Sequence, residues 1–140
     1  HAALTRGFDD TFLVPHSRYG HIDIDKINAC EELVVLAGSE RVGAYLIKNK
    51  SGSQVYITGH PEYDAHTLKG EYLRDQEKSA DAPKPENYFP DDNPDNEPSK
   101  TWQSHAFLLF SNWLNYYVYQ TTPYDINLVS QDVRTNNYAE

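Results

Sequence analysis

The sequence predicts an α/β fold in which a meander of short strands is followed by two main helices. Three short apolar runs, separated by glycine and polar turn residues, lie between residues 33 and 58. A run with apolar residues at helical spacing follows over residues 63–79, and an aromatic-rich run covers residues 102–120. Because short turns join the strands, we expect the local sheet to be antiparallel or mixed, even if the complete fold has a parallel core.

The chain begins with a loop and a short helix. Residues 5–20 mix aromatic and charged side chains without any period, which is typical of an ordered loop. Asp23 is expected to cap a short helix over residues 24–29, since its carboxylate can accept a hydrogen bond from the first helical amides. Cys30 follows this helix. Nothing around it indicates an electropositive pocket, so we expect a buried and inert thiol.

The predicted strands cover residues 33–37, residues 42–47 and a third run that starts at Gln54. Turns over residues 38–40 and 49–52 separate them. The third strand breaks at Gly59-His60-Pro61, so it should deliver His60 to the edge of the sheet.

Two helices are predicted in the second half of the chain. Pro61 suits the first turn of a helix, which is expected to include residues 63–79. The second helix, residues 102–120, should be capped by Ser99 or Thr101. Its apolar residues cover most of its circumference, which predicts burial in the core or at a subunit contact such as a homodimer interface.

The segment between the helices, residues 80–100, is rich in proline and acidic residues and should form neither helix nor ladder. Its carboxylates lack the spacing and the glycine of an EF-hand, so no metal site is predicted. Asn87, Tyr88 and Phe89 are expected to pin this loop to the body of the protein. Residues 1–125 are predicted to form part of one domain, and residues 126–140 a polar tail.

Composition indicates a globular chain. The 140 residues are 39% apolar and 13% aromatic, which suffices for a hydrophobic core. The net charge of −9 disfavours nonspecific binding to nucleic acids or anionic membranes, since both need a positive surface. A single cysteine fits a reducing cytosol. No signal peptide or membrane span is predicted, and the absence of an initiating methionine leads us to expect a fragment of a longer protein.

His60 and Glu62 form the first candidate site. A histidine two residues from a glutamate can act as a base whose imidazole is oriented and charge-stabilised by the carboxylate. In open α/β sheets, ligands bind beyond the carboxyl ends of the strands, where this turn is expected. The alternative is a capped helix start, with Glu62 near the positive helix end and His60 merely exposed. Spacing alone leaves both interpretations open, and no nucleophile is evident.

Two further sets of residues suit an amino-acid ligand. His16, Ser17 and Arg18 offer a ring nitrogen, a hydroxyl and a guanidinium, which together can hold a carboxylate or an amino acid. A surface turn after Pro15 is the competing interpretation. Arg74 follows His60 by close to four helical turns and should lie on roughly the same face of the helix, although helix position alone favours a solvated charge or a local ion pair.

Four blocks of residues resemble the homoserine O-succinyltransferase and O-acetyltransferase (homoserine transacylase) family, in the same order and from residue 1 to about residue 125. The blocks are Gly7-Phe8-Asp9-Asp10 with Pro15-His16-Ser17-Arg18-Tyr19, Thr58-Gly59-His60-Pro61-Glu62-Tyr63-Asp64, Asn87-Tyr88-Phe89-Pro90, and Asn112-Trp113-Leu114-Asn115-Tyr116-Tyr117-Val118-Tyr119-Gln120 with Thr122-Pro123-Tyr124.

The resemblance implies a cytoplasmic enzyme of methionine biosynthesis with a class I glutamine amidotransferase-like (flavodoxin-like) α/β sandwich. Members of the family transfer an acyl group from succinyl-CoA or acetyl-CoA to the hydroxyl of L-homoserine through a cysteine thioester. By this resemblance His60 is the catalytic base, Glu62 its acidic partner, Ser17 a substrate-contacting position and Arg74 the arginine that binds the amino acid. Arg18 is added by extrapolation. Acyl-CoA is a co-substrate, and no cofactor is implied.

One departure from the family pattern limits what this segment can do. The nucleophilic cysteine of the family precedes the matching region, and Cys30 does not correspond to it. The chain is therefore expected to be the C-terminal half of the enzyme, inactive without its N-terminal half. An enzyme of the same fold that uses L-serine, and an inactive fragment or binding domain, remain alternatives.

Overall fold

The computed structural model describes residues 2–20 and 22–123. In this part of the chain three helices and three strands follow one another, with a π-helical turn over Leu114–Val118 after the last helix. They are α1 (Ile24–Asn28), β1 (Leu33–Ser39), β2 (Gly43–Asn49), β3 (Val55–Ile57), α2 (Thr67–Lys78) and α3 (Gln103–Trp113). No helix in the described ranges is long and apolar enough to cross a membrane. The predicted polar tail, residues 126–140, lies outside the described residues.

The strand meander is confirmed. β1 pairs antiparallel with β2, and β2 pairs antiparallel with β3, so that β2 is the central strand. Ala44 and Leu46 of β2 are completely buried. Leu46 packs with Leu4, Tyr45 and Leu109 into one core cluster, which joins the sheet to α3 and to the first turn of the chain.

The short helix α1 is confirmed, whereas the prediction for Cys30 is wrong. The Asp23 carboxylate accepts a hydrogen bond from the backbone amide of Asp25 at 2.9 Å, as expected of a capping residue. Cys30 is a free, exposed cysteine. It lies in the turn between α1 and β1, and α1 itself has no buried residue, so nothing among the described residues covers the thiol.

Helix α2 begins later than predicted, at Thr67 instead of near Tyr63. Residues 61–66 are not helical, and two of their backbone carbonyls bond to distant side chains. The Trp102 indole donates a hydrogen bond to the carbonyl oxygen of Tyr63 at 3.0 Å, and the Tyr88 hydroxyl donates one to the carbonyl of Ala65. These tertiary bonds outweigh the preference of Pro61 for a first helical turn.

The loop over residues 80–100 is attached to the body as predicted. Tyr88 and Phe89 are 8% and 5% exposed and pack with Leu68, Tyr72 and Trp102 in a second core cluster. A short 3-10 turn at Pro90–Asp92 is the regular structure found in this segment.

Helix α3 and the π-helical turn after it cover residues 103–118, close to the predicted helix over residues 102–120, but the helix is covered on one face only. It starts at Gln103 without a side-chain cap, so the caps expected from Ser99 or Thr101 are wrong. Leu109 and Asn112 are buried, but Phe107 is 72% exposed. Three more apolar residues of this helix and the turn after it are also exposed: Phe110, Trp113 and Leu114.

Candidate functional site

His60 lies three residues beyond the end of β3, in a turn that two hydrogen bonds attach to the sheet. The Thr58 hydroxyl donates to the carbonyl oxygen of Ala44 at 2.8 Å, and the Thr58 amide donates to that of Tyr45 at 2.9 Å. The amide of His60 then donates to the carbonyl oxygen of Pro15 at 2.8 Å. The strand and the N-terminal loop therefore fix the backbone of His60 together.

The His60 imidazole contacts the Glu62 carboxylate directly. Nδ1 of His60 lies 2.8 Å from Oε1 of Glu62, and the two side chains are 35% and 57% exposed. Because an ionised carboxylate only accepts hydrogen bonds, Nδ1 carries the proton in this pair and Nε2 is the basic nitrogen. Since α2 starts at Thr67, Glu62 is not at a helix N-terminus. The alternative of a capped helix start is therefore wrong.

Tyr63 covers one face of the His60 ring. The two ring centroids are 4.2 Å apart and the planes differ by 14°, which is a stacked arrangement. The Tyr63 hydroxyl donates a hydrogen bond to Oε1 of Glu71 at 2.9 Å. Burial, followed by this bond and the charges of Glu71 and Glu62, raises the pKa of Tyr63 to about 12. Tyr63 is therefore neutral at physiological pH, and sequence reasoning gave it no role.

Arg74 lies on the exposed surface of α2, and Nε of its guanidinium is 3.1 Å from Oδ1 of Asp75. The hydrogen bond to Asp75 raises the pKa of Arg74, which keeps it a permanent cation. The prediction that Arg74 shares a helix face with His60 is wrong, because His60 precedes the helix. Arg74 is nevertheless close enough for its charge to act on the Tyr63 hydroxyl.

The loop that contains His16, Ser17 and Arg18 lies beside His60. One terminal nitrogen of Arg18 donates a hydrogen bond to the carbonyl oxygen of Val42. The other is buried and has no hydrogen-bond partner among the described residues. Ser17 is half-buried. The loop is thus an ordered structure rather than a surface turn, as the backbone bond between Pro15 and His60 also indicates.

His16 packs against the turn that leads to His60. A Cβ atom at Gly59 would lie 3.0 Å from Cε1 and 3.1 Å from Nε2 of the His16 ring. Both ring nitrogens of His16 are buried without partners among the described residues. Burial, with the nearby charges of Arg18 and His60, lowers the pKa of His16 to about 4, so the ring is neutral at pH 7. The sequence signal for this contact is Gly59, because a glycine without a Cβ atom leaves room for the His16 ring.

Two cavities meet at His16. One, of about 570 Å³, extends from His16 past Arg41 and Glu86 to Trp102. The other, of about 460 Å³, lies between the N-terminal loop and β1. His60 lines neither of these two cavities, and its side chain is 35% exposed.

A histidine–carboxylate pair at the end of a strand, with cationic and hydroxyl side chains in an adjacent loop, is the arrangement that enzymes with an activated nucleophile use for proton transfer. Sequence comparison identifies the family. The model of the homoserine O-succinyltransferase family matches residues 1–124, and the chain belongs to this family.

Several relatives are similar over nearly the whole chain. A homoserine O-succinyltransferase of Pseudoalteromonas translucida is 86% identical over all 140 residues, which span 44% of its length. One from Pectobacterium carotovorum is 56% identical over 90% of the chain and 41% of its own length. A homoserine O-acetyltransferase of Petrotoga mobilis is 52% identical over 93% of the chain and 42% of its own length. The chain thus spans less than half the length of these relatives.

Proposed function

We propose that the complete protein transfers a succinyl or acetyl group from acyl-CoA to the hydroxyl of L-homoserine, and that this chain supplies the base, its acidic partner and the amino-acid-binding residues. The proposal rests on the 2.8 Å contact between His60 Nδ1 and Glu62 Oε1 in a chain of this family. The names of the relatives support homoserine as the acceptor, and they differ in the acyl group, so both donors belong to the proposal.

In the first half-reaction the nucleophile is a cysteine of the upstream half of the enzyme. Nε2 of His60 takes the thiol proton, and the resulting thiolate attacks the carbonyl carbon of the acyl-CoA thioester. The carbon–sulfur bond to CoA breaks, and the CoA thiolate takes the proton from His60. The acyl group is then held as a thioester on the enzyme.

In the second half-reaction the same histidine activates the acceptor. Nε2 of His60 removes the proton of the homoserine hydroxyl as its oxygen attacks the thioester. The cysteine leaves as a thiolate and recovers the proton from His60. In both steps the Glu62 carboxylate stabilises the positive charge that forms on the imidazole.

Substrate binding is assigned to the cations and the hydroxyl around His60. The Arg74 guanidinium is suited to a bidentate contact with the α-carboxylate of homoserine, since it is exposed and held only by Asp75 among the described residues. Arg18 contributes the positive charge of its guanidinium to the neighbouring loop, and Ser17 beside it supplies a hydroxyl for the amino acid. Acyl-CoA enters as a co-substrate, and no cofactor is needed for this chemistry.

The exposed face of α3 is assigned to contact with the upstream half of the enzyme. Four apolar side chains on this helix and the following turn face solvent among the described residues. We place the whole protein in the cytoplasm with a class I glutamine amidotransferase-like α/β sandwich. The described three-stranded sheet and its helices would then be the C-terminal portion of that fold.

The test uses the complete enzyme with His60→Ala, and His66→Ala as a matched control. His66 is an exposed histidine whose side chain pairs with Glu97 and not with Glu62. Formation of O-acylhomoserine and release of CoA are measured for both donors, with L-serine as an alternative acceptor. We expect His60→Ala to lower kcat by roughly 10²-fold or more, since a positioned base contributes about 10²–10⁴. Normal turnover by His60→Ala would refute the proposed role.

A further inference from the structure

The His60 imidazole has only one hydrogen-bonded anchor at its edge among the described residues. Its partner Glu62 is 57% exposed, and a solvated carboxylate on a flexible side chain does not by itself fix the plane of a ring. For efficient proton transfer, Nε2 must face the reacting atoms within hydrogen-bonding distance. A second contact is needed to restrict rotation of the ring.

Tyr63 provides this contact. Its ring lies parallel to the imidazole at a centroid distance of 4.2 Å, so rotation of His60 about its Cβ–Cγ bond would drive the imidazole into the Tyr63 face. An aromatic face also attracts the positive charge that the imidazole acquires when it takes a proton.

Tyr63 is itself held at both ends. Its hydroxyl donates to Glu71 on α2 at 2.9 Å, and its carbonyl oxygen accepts a hydrogen bond from the buried Trp102 at 3.0 Å. Its amide donates to the carbonyl oxygen of His60 at 3.2 Å. The tyrosine is thus anchored to a helix, to the core and to the turn that carries the base.

We propose that Tyr63 is the positioning residue of His60, and that its stacked ring holds the imidazole plane so that Nε2 faces the reacting atoms. This inference rests on the proposed role of His60 as the base. Tyr63 takes no proton in this scheme, which agrees with its neutral state at physiological pH.

The test compares Tyr63→Leu and Tyr63→Phe in the complete enzyme, with Tyr56→Leu as the matched control. Tyr56 is an exposed tyrosine of β3 whose hydroxyl donates to Gln54. We expect Tyr63→Leu to lower kcat about tenfold, which is part of the roughly 10²–10⁴-fold rate enhancement that a positioned base contributes. The KM values for homoserine and acyl-CoA should each stay within about twofold of the parent. Tyr63→Phe retains the ring and should keep kcat within about threefold of the parent.

A spectroscopic measurement tests the stacking separately from activity. The carbon-bound ring protons of His60, assigned by their loss in His60→Gln, should be shifted upfield by the Tyr63 ring current in the parent and in Tyr63→Phe. The shift should disappear in Tyr63→Leu. The upfield shift in the parent protein is by itself evidence of the stacked rings, so this part of the test holds even if the Leu variant does not fold.

The kinetic and NMR results distinguish the role of Tyr63 from the role of His60. An unchanged kcat in Tyr63→Leu, or an unshifted His60 resonance in the parent, would overturn the inference. Equal losses in Tyr63→Phe and Tyr63→Leu would assign the effect to the hydroxyl and also overturn it. Normal turnover by His60→Ala would instead refute the proposed function, while the ring-current shift would still report whether the rings stack.

Discussion

The backbone amide of His60 donates a hydrogen bond to the carbonyl oxygen of Pro15 at 2.8 Å. This bond joins two loops that are far apart in the sequence, one with His60 and the other with His16, Ser17 and Arg18. The N-terminal loop is in turn attached to α3, because the buried Asn112 amide donates to the carbonyl oxygens of Leu4 and Arg6 at 3.1 and 2.8 Å. The candidate site therefore depends on the packing of α3 as well as on the sheet.

Glu62→Gln in the complete enzyme should lower kcat by roughly 10²-fold with little change in KM. The glutamine carbonyl can still accept a hydrogen bond from Nδ1 of His60, but it lacks the charge that stabilises the imidazolium. Steady-state kinetics with homoserine and acyl-CoA measure this effect. Glu86→Gln, which changes the charge of an exposed carboxylate paired with Arg41, is the control and should be fully active. A fully active Glu62→Gln enzyme would show that the carboxylate only orients the ring.

Arg74→Ala should raise the KM for homoserine roughly 10- to 100-fold, since a hydrogen bond to a charged group contributes about 1.5–3 kcal/mol. The KM for acyl-CoA should stay the same. Arg74→Lys should recover only part of the affinity, because an ammonium group cannot form the bidentate contact. Arg41→Ala removes another exposed arginine, paired with Glu86, and serves as the control. If the two alanine variants behave alike, Arg74 does not bind the amino acid.

The strands and the short helix could be predicted from the sequence because their signals are local. Turn residues bound the apolar runs of the meander, and Asp23 provides a cap within two residues of its donor partner. The start of α2 could not be predicted, because Trp102 and Tyr88, distant in the chain, bond to the carbonyl groups of residues 61–66. The helical spacing of apolar residues therefore starts at Tyr63, four residues before the helix itself begins at Thr67.

The candidate site was predictable in part for the same reason. His60 and Glu62 are two residues apart, so a single turn suffices to bring them together, and their pairing is found at 2.8 Å. The stack of Tyr63 on His60 depends on Glu71 and Trp102, which no local pattern indicates. The exposure of Cys30 also depends on tertiary packing. The helix before it, α1, has no buried residue, and the composition around the thiol does not reveal this.

The stability of the complete enzyme should fall as the pH decreases from about 6.5 to 4, in part because of His16. Burial and the charges of Arg18 and His60 lower its pKa to about 4. Between these pH values the unfolded chain binds a proton at His16 that the folded protein excludes, so lowering the pH favours unfolding. Above pH 6.5 the ring is neutral in both states, and this contribution to stability is fully present.

Urea unfolding at several pH values, compared between the parent and His16→Gln, measures this effect. We expect the difference in unfolding free energy between the two proteins to decrease as the pH falls, since glutamine does not titrate. His66→Gln removes an exposed imidazole and shows whether the loss of any histidine has this consequence. A constant difference between the parent and His16→Gln across this range would mean that His16 can be protonated in the folded state.

Gly59→Ala should reduce both stability and kcat. A Cβ atom at this position would lie 2.9 Å from the carbonyl oxygen of Pro15 and 3.0 Å from the His16 ring. The carbonyl cannot move away without stretching its hydrogen bond to the His60 amide, so we expect a loss of about 1–3 kcal/mol, as for other overpacked sites. Displacement of the His60 backbone should also lower kcat.

Gly70→Ala is the matched control for this substitution. Gly70 lies within α2, and a Cβ atom there would meet no described atom within 4 Å, so alanine should stabilise the helix by about 0.5–1 kcal/mol. Thermal unfolding and steady-state kinetics of both variants in the complete enzyme separate the two effects. Opposite shifts in stability are expected from the same chemical change. If Gly59→Ala were as stable and as active as Gly70→Ala, the close packing of Pro15 and His16 on the His60 turn would not hold His60 in place.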